Sequence, residues 1–460
     1  MRVLLRELMR AMPTSQSTVD PVQHSTNANV FMNELEIIVD GSKVMPPPLP
    51  GNHGKPLVPV PAEARIVSLD VLRGFSLLGI LVVNMLSFSQ PLEALGFRNG
   101  LWLSPADKIV DWISVLLVEG KFYPIFSFLF GLGFSMQMDR AGLRGLDFLP
   151  VYRRRLFVLM VFGIAHGIFL WEGDVLLPYA LCGFLLLLFR NRKPVTIAVW
   201  AVVLILLPAL LMLLIGLVFL VFSGNAGFSE VMQDTFAEDP EVRSKLVAAF
   251  VTGGYADTVS YRLGEFLLIA SLTLIFAPAF LGLFLIGLLV GRTQIIMEAA
   301  QNRRLIVRLL AGCGVVGLVG NFFGAWAMMV GSAGADFGLV MIGTSAISVF
   351  GPVLAAAYVA GILLLIQREG SFGFLFPVAS VGRMALTNYL AQSAIATTIF
   401  YGYGFGLGGS IGRLGTIGMA LAIFAAQVLF SVIWLKFFRC GPMEWLWRSL
   451  TCGNRQPMRR

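Results

Sequence analysis

The feature that most constrains the fold is a series of apolar stretches, each long enough to cross a lipid bilayer. A helix needs about 20 apolar residues to cross about 30 Å of hydrocarbon. Such runs cover residues 66–89, 121–138, 151–171, 174–190, 194–222, 264–291, 304–330, 338–366, 375–401 and 412–437. Hydrophobic residues make up 57% of the chain and charged residues 13%, which excludes an ordinary soluble domain. We therefore predict an all-α, polytopic integral membrane bundle of about ten transmembrane helices.

Basic residues between these runs predict the topology, because cytoplasmic connections are enriched in lysine and arginine. Arginines crowd residues 140–155, 190–193, 292–308 and 436–460, whereas the alternate connections 172–174, 223–263 and 331–337 carry acidic residues. Both termini are therefore expected in the cytoplasm. The net charge of +8 follows from this asymmetry and from attraction to anionic membrane lipids. It gives no reason to expect nucleic acid as a partner.

Composition divides the chain into three parts. Residues 1–60 are polar, contain the proline-rich run 45–50 and lack the apolar core of a secretory signal, so we expect a disordered cytoplasmic tail. Residues 61–451 form the transmembrane helical domain, and 452–460 a basic cytoplasmic tail. Two of the three histidines lie in the first tail, and the four cysteines are scattered singly. We therefore expect neither a metal site nor a disulfide framework.

Three segments between the spans have their own signatures. Residues 104–119 mix charged and apolar residues at helical spacing after a Ser104-Pro105 start, which predicts a helix along the outer interface. Residues 228–250 look similar but more polar. The glycine-rich stretch 401–410 is expected to be a flexible outer turn, or alternatively a substrate lid.

Polar residues inside a span are costly and each needs a reason. Asp70 and Arg73 are close enough on one helix to pair, and Asn84 follows Arg73 by eleven residues, about 16 Å along the same face. Arg155 and His166 repeat this spacing in the third span. The pattern suits a cavity through the membrane. The alternative is that both arginines reach to lipid headgroups and that Asn84 bonds a neighbouring helix.

His166 is the histidine that lies in strongly apolar sequence. Glu172 and Asp174 follow it just past the helix end, where either could orient its imidazole. Burial between helices, helped by Gly163 and Gly167, is the structural alternative. The ninth span groups Arg383, Thr387, Asn388 and Gln392, so this helix is expected to face a cavity or other helices and not lipid.

Several long motifs resemble one family. Residues 68–84, 120–134, 171–174, 382–393 and 441–448 look like the corresponding parts of YeiB-like bacterial membrane proteins, a family defined by a domain of unknown function. This resemblance implies a multi-pass protein of the bacterial cytoplasmic membrane. The family is in turn similar to transmembrane acyltransferases, including the lysosomal heparan glucosamine N-acetyltransferase. The shared Leu-Asp-x-x-Arg-Gly opening and the asparagine that matches Asn84 carry that similarity.

The similarity implies transfer of an acyl group from a cytosolic acyl-CoA-type donor to an envelope glycan or lipid acceptor. In the lysosomal enzyme a catalytic histidine follows the matching asparagine, whereas residues 85–103 contain none here. His166 would then act as the general base, oriented by Asp174 or Glu172. The oxyanion would be stabilised by a hydrogen bond from Asn84, Asn388 or Gln392.

In this hypothesis Arg73, paired with Asp70, and Arg383 hold the donor phosphates, and Thr387 joins the substrate site. No tightly bound cofactor is expected. A transporter or lipid-translocating protein without catalysis is the alternative, because intramembrane charge and glycine also build a gated path.

Overall fold

The computed structural model of the protein describes residues 67–90, 104–145, 147–225, 240–293, 295–296, 298–334, 336–368 and 371–460. The predicted tail over residues 1–60 lies outside them. Within the described residues the all-α class is confirmed. The helices are α1 (Val67–Ser89), α2 (Pro105–Leu117), α3 (Phe122–Leu143), α4 (Phe148–Phe169), α5 (Leu176–Leu186), α6 (Pro194–Phe222), α7 (Pro240–Val247), α8 (Tyr255–Leu274), α9 (Ala277–Thr293), α10 (Arg303–Gly334), α11 (Phe337–Ile366), α12 (Ser371–Arg383), α13 (Ala385–Phe400), α14 (Arg413–Phe437) and α15 (Pro442–Cys452).

Among the described residues, six stretches are long and apolar enough to cross a membrane: Val67–Ser89, Pro105–Leu143, Pro194–Phe222, Arg303–Ser332, Phe337–Ile366 and Arg413–Phe437. Two shorter apolar stretches are Leu176–Phe189 and Ala277–Thr293. These helices support a membrane protein. The count of ten spans and the cytoplasmic position of the termini stay predictions.

Two of the predicted continuous spans are interrupted. The run 264–291 divides between α8 and α9, where Pro278 has no N–H to donate and disfavours helical backbone before it. The run 375–401 divides at Met384, whose φ of −115° and ψ of 36° lie outside the helical range. Each interruption turns one long apolar run into two helices.

The segments between the spans also take defined shapes. The predicted helix after Ser104 is confirmed: the Ser104 hydroxyl accepts from the Asp107 N–H at 3.1 Å, and Pro105 begins α2. Of residues 228–250, the structure describes 240 onward, which includes α7. The predicted tail 452–460 folds back, so that Met458 O accepts from Arg439 N at 2.9 Å. The glycine-rich stretch 401–410 packs on the end of α1, where Gly409 N donates to Ser89 O at 2.8 Å.

Glycines let the inner helices approach closely. A side chain at Gly74 would collide with Val378 O, and one at Gly382 with Asp70 O, so α1 and α12 touch through backbone. Gly131 faces Phe284 O in the same way, which joins α3 to α9. Small residues at helix contacts are expected in membranes, where close packing is a main source of association energy.

Candidate functional site

A cavity of about 730 Å³ lies among α1, α3, α4 and α13, and parts of α9, α10, α11 and α15 complete its wall. Its volume is in the range of roughly 300–1,000 Å³ that is usual for small-molecule sites. Much of the wall is apolar or aromatic, including Leu77, Ile80, Phe126, Phe130, Leu159, Tyr179, Phe280 and Leu386. Polar side chains are concentrated towards its two ends.

One end, called the basic end below, is lined by arginines from five helices: Arg73, Arg140, Arg155, Arg383 and Arg448. Arg73 and Arg155 lie about two turns after the starts of α1 and α4, and Arg140 and Arg383 lie in the last turns of α3 and α12. Two carboxylates, Asp70 and Glu444, line the same region. The five guanidinium groups outnumber them, so this end is positively charged.

Specific contacts hold the arginines in place. Arg73 Nη1 lies 3.0 Å from Asp70 Oδ1, which confirms the pairing predicted from their spacing. Arg155 Nη1 donates to Gln137 Oε1 at 2.6 Å, and its guanidinium lies 4.3 Å from the Trp447 ring centroid. A planar guanidinium fixed on one side by an aromatic ring still presents other N–H groups to an anion.

Glu444 on α15 caps the start of α13. Its Oε1 accepts from Leu386 N at 2.6 Å and Thr387 N at 3.1 Å, and its Oε2 accepts from the Thr387 hydroxyl at 2.6 Å. These bonds satisfy N–H groups that the first turn of a helix leaves without partners. Burial nevertheless raises the pKa of Glu444 above its ordinary value, because desolvation outweighs the hydrogen bonds that favour the carboxylate.

The opposite end, called the polar end, is lined by Asn84, Glu119 and Asp174. Asn84 lies about 16 Å along α1 from Arg73, from eleven residues at about 1.5 Å each. The structure brings both residues to one cavity, in agreement with the shared face predicted from the sequence. The cavity therefore connects a positively charged end with a polar end across an apolar middle.

His166 is buried beside this cavity, and it is absent from the described residues that form the wall. Its Nδ1 lies 2.9 Å from Asp174 Oδ1, and its Nε2 lies 2.9 Å from Ser393 Oγ. In the tautomer that satisfies all three groups, Nδ1–H donates to Asp174 and Nε2 accepts from the Ser393 hydroxyl. The Tyr389 ring packs 5.0 Å from the imidazole. Asp174 and Tyr389, not His166, contact the cavity.

The partner of His166 is Asp174, and Glu172 has a different one. Glu172 Oε2 accepts from Arg262 Nε at 2.8 Å, and the Arg262 side chain is 1% exposed. The Phe250 and Tyr401 rings flank that guanidinium at 5.6 and 5.5 Å. Asp174 also accepts from Leu177 N at 2.7 Å, so it fixes the start of α5. Of the two predicted carboxylates, Asp174 is the one that borders the main cavity.

The predicted substrate-binding residues of the ninth span divide. Arg383 lines the cavity. Thr387 bonds Glu444, Asn388 Nδ2 donates to Ser431 Oγ at 3.1 Å, and Gln392 Nε2 donates to Gln427 Oε1 at 2.9 Å. These last three are absent from the cavity wall in the described part of the chain. They instead join α13 to α14 and α15, which agrees with the expectation that this helix faces other helices.

Several residues of the site were not predicted from the sequence. Arg140, Arg448 and Glu444 follow apolar runs, where a basic or acidic residue usually means a solvated helix end. Ser393 is one of several polar residues in α13, and its spacing from the others does not distinguish it. The signal that could have identified Arg448 and Ser393 is their position in the motifs 441–448 and 382–393.

Comparison with known proteins identifies relatives over most of the chain. Residues 290–454 match the family model described as a protein of unknown function (DUF418). The uncharacterized protein YxaH of Bacillus subtilis (strain 168) is 35% identical over 418 residues, which cover 87% of this chain and 98% of that protein. The uncharacterized protein YeiB of Escherichia coli (strain K12) is 30% identical over 397 residues, 84% of this chain and 96% of its own.

A third relative is an uncharacterized 39.9 kDa protein in the amylase 3' region of Bacillus acidopullulyticus, 30% identical over 405 residues. These residues cover 87% of this chain and 97% of that protein. No solved structure matches the chain significantly. The relatives therefore define a family, and the function must be argued from the site.

Proposed function

The chain belongs to the DUF418 family that includes YxaH and YeiB, and we propose that it is an acyltransferase of the bacterial cytoplasmic membrane. It moves an acyl group from a cytosolic acyl-CoA-type donor to an envelope glycan or lipid acceptor. The observation that carries the proposal is one cavity that joins five arginines to Asn84 and Asp174. Donor and acceptor can meet in such a cavity although they approach from opposite sides.

The basic end binds the donor. The cytoplasmic orientation of this end, where acyl-CoA is available, is part of the proposal and is supported by the preference of arginine-rich connections for that side. Guanidinium groups recognise phosphate by charge-assisted, often bidentate hydrogen bonds. Arg73, Arg383 and Arg448 hold the phosphates, and Arg155 contributes from its place against Trp447. The apolar middle of the cavity then binds the less polar arm of the donor, which extends towards Asn84.

The polar end performs the transfer. The acceptor oxygen or nitrogen bonds to the thioester carbonyl carbon, the carbon–sulfur bond breaks, and the acceptor proton ends on the thiol that leaves. Asp174 borders the cavity and accepts that proton, while the Asn84 amide donates to the oxyanion. His166 acts behind Asp174 as a positioning residue, because its ring bonds the Asp174 carboxylate and does not border the cavity.

Binding of coenzyme A to the purified protein tests the donor site. Calorimetry in detergent should detect binding that Arg448→Gln weakens by about tenfold or more, since a hydrogen bond to a charged group contributes about 1.5–3 kcal/mol. Arg368→Gln is the matched control, because Arg368 is exposed and is not among the residues that line the cavity. Equal affinities of wild type and Arg448→Gln would contradict a phosphate site at the basic end.

A carrier for anionic lipids or solutes is the second candidate function. The observation that favours it is the position of His166, whose two nitrogens are both occupied and which does not border the cavity. Purified protein given labelled acyl-CoA and membrane extract separates the two functions. Covalent transfer of label that Asp174→Asn abolishes supports the enzyme, whereas movement of an intact lipid between leaflets supports the carrier.

A further inference from the structure

One part of the cavity wall, called the branch below, is provided by the hairpin of α10 and α11 and by the residues that face it. Its wall is formed by Val118, Phe122, Met328, Thr344, Ile347 and Ser348. These residues come from the connection between α2 and α3, from the start of α3, and from the facing surfaces of α10 and α11. The branch contains none of the five arginines, so it is not part of the phosphate site.

The branch presents an apolar surface even where hydroxyls line it. The Thr344 hydroxyl donates to Val340 O at 2.9 Å, and the Ser348 hydroxyl donates to Thr344 O at 2.9 Å. Both donors are therefore used within α11. The remaining wall is provided by aliphatic, thioether and aromatic groups. An apolar chain gains free energy in such surroundings, whereas a sugar or a phosphate would lose its hydrogen bonds to water.

The walls of the branch are firmly set. Ile347 Cγ2 lies 2.7 Å from the position that a side chain on Gly120 would occupy, and a side chain on Gly351 would collide with Gly120 O. Gly120 also has a φ of 78°, in the region that favours glycine. This close contact between α11 and the connection before α3 holds Ile347 in place in the wall of the branch.

The wall of the branch begins between the basic end and the depth of the proposed transfer. The Phe122 ring covers Gly79, and Gly79 lies about 7.5 Å from Asn84 towards Arg73, from five residues at about 1.5 Å each. In a donor held by its phosphates at the basic end, with its thioester near Asn84, an acyl chain that turns towards α10 and α11 reaches this wall. The position therefore suits the part of the donor that continues beyond the thioester.

We propose that this branch binds the acyl chain of the donor, so that the donor carries a medium-length or long acyl group and not acetyl. The inference rests on the proposed function and specifies its substrate class. Each buried methylene favours binding by about fourfold when it leaves water completely. Octanoyl-CoA should therefore bind at least tenfold more tightly than acetyl-CoA.

Calorimetry with CoA, acetyl-CoA and octanoyl-CoA tests the branch on the full chain in detergent. Ser348→Phe fills the branch and should bring the affinity for octanoyl-CoA to that for acetyl-CoA, with acetyl-CoA unchanged. Ser271→Phe is the matched control, because Ser271 lies exposed on α8 and likewise bonds its own helix at Leu267 O. The inference would be overturned if the wild type bound acetyl-CoA and octanoyl-CoA equally, or if Ser348→Phe weakened the binding of both equally. Binding of CoA itself would in that case still support the donor site.

A second variant keeps the inference testable if Ser348→Phe does not fold. Met328→Ala enlarges the branch and should shift the preference from octanoyl-CoA towards dodecanoyl-CoA. An unchanged preference would count against the branch as the chain site. Failure of every CoA compound, including CoA itself, to bind the wild type would instead remove the proposed function together with this inference.

Discussion

Ser393→Ala tests whether the buried chain Asp174–His166–Ser393 stabilises the protein as one unit. The change removes the hydroxyl that lies 2.9 Å from His166 Nε2 and leaves that nitrogen buried without its donor. Leaving a buried polar group unsatisfied costs about 1–3 kcal/mol. We therefore expect Ser393→Ala to lower the free energy of unfolding by about 1–2 kcal/mol. Unfolding in mixed detergent and SDS micelles measures this difference.

His166→Ala should cost more, because it also removes the donor to the Asp174 carboxylate and leaves a void. A hydrogen bond to a charged group contributes about 1.5–3 kcal/mol, and the total loss should reach about 3–5 kcal/mol. The double variant should lose little beyond His166→Ala alone, since the Ser393 bond is already absent. The coupling energy should be about 1–2 kcal/mol.

Ser271→Ala is the matched control for this cycle, because the Ser271 hydroxyl also donates a hydrogen bond, to Leu267 O, but Ser271 is exposed. It should change the stability by less than about 0.5 kcal/mol. A Ser393→Ala variant as stable as the wild type, or strictly additive losses in the double variant, would refute the hydrogen-bonded chain as a coupled unit.

Three further predictions concern packing and charge. Gly382→Ala should destabilise the protein by about 1–3 kcal/mol, because the added methyl group collides with Asp70 O. Gly373→Ala on the same helix is the control and should be less destabilising, because its methyl group meets open space. Equal thermal stability of the two variants would contradict the contact. The pKa of Glu444 is raised, so its contribution to the stability of the fold is fully present below its ordinary pKa of 4.5 and is lost as pH rises through the folded pKa. The melting temperature of Glu444→Gln should therefore depend less on pH than that of the wild type. Parallel plots of melting temperature against pH for the two proteins would contradict this. Arg262→Met should lower the free energy of unfolding by about 3–5 kcal/mol, because it leaves Glu172 without its ion-pair partner. Adding Glu172→Gln to this variant should restore part of that stability. A further loss of stability in the double variant would count against the ion pair.

The sequence allowed the helical class to be predicted because apolar length is a local property. Val67–Ser89 and Pro194–Phe222 agree with predicted runs to within one residue. The interruption at Met384 was missed, since its partner, Glu444, lies 58 residues away in sequence from Leu386. A single apolar run gives no sign that a distant carboxylate will satisfy a new helix start within it. The helix after Ser104, in contrast, carries its own cap and could be predicted.

The candidate site was predictable where one helix sets the geometry. Arg73 and Asn84 share the cavity because their spacing on α1 puts them on one face. The position of His166 in the last turn of α4 was predictable, but the direction of its ring was not, because it depends on Ser393, which lies 227 residues away in sequence. Which side of a buried histidine faces a cavity depends on its neighbours, and the spacing of one helix does not contain that information.

The interruption between α12 and α13 also explains how the basic end is assembled. A continuous helix through Met384 would need no partner for Leu386 N and Thr387 N, and Glu444 would then be an uncompensated buried carboxylate. The interruption and the carboxylate satisfy each other, which fixes α15 against the start of α13.

That contact brings Arg448 and Trp447 to the cavity, and Trp447 in turn holds Arg155. On the other side of Met384, the close approach of Gly382 to Asp70 O keeps Arg383 beside α1, where Arg73 pairs with Asp70. Four of the five arginines, all but Arg140, therefore depend on two contacts that flank the non-helical residue Met384. For this reason, losing the Glu444 cap should weaken binding of CoA as well as stability, even though a carboxylate cannot itself attract a phosphate.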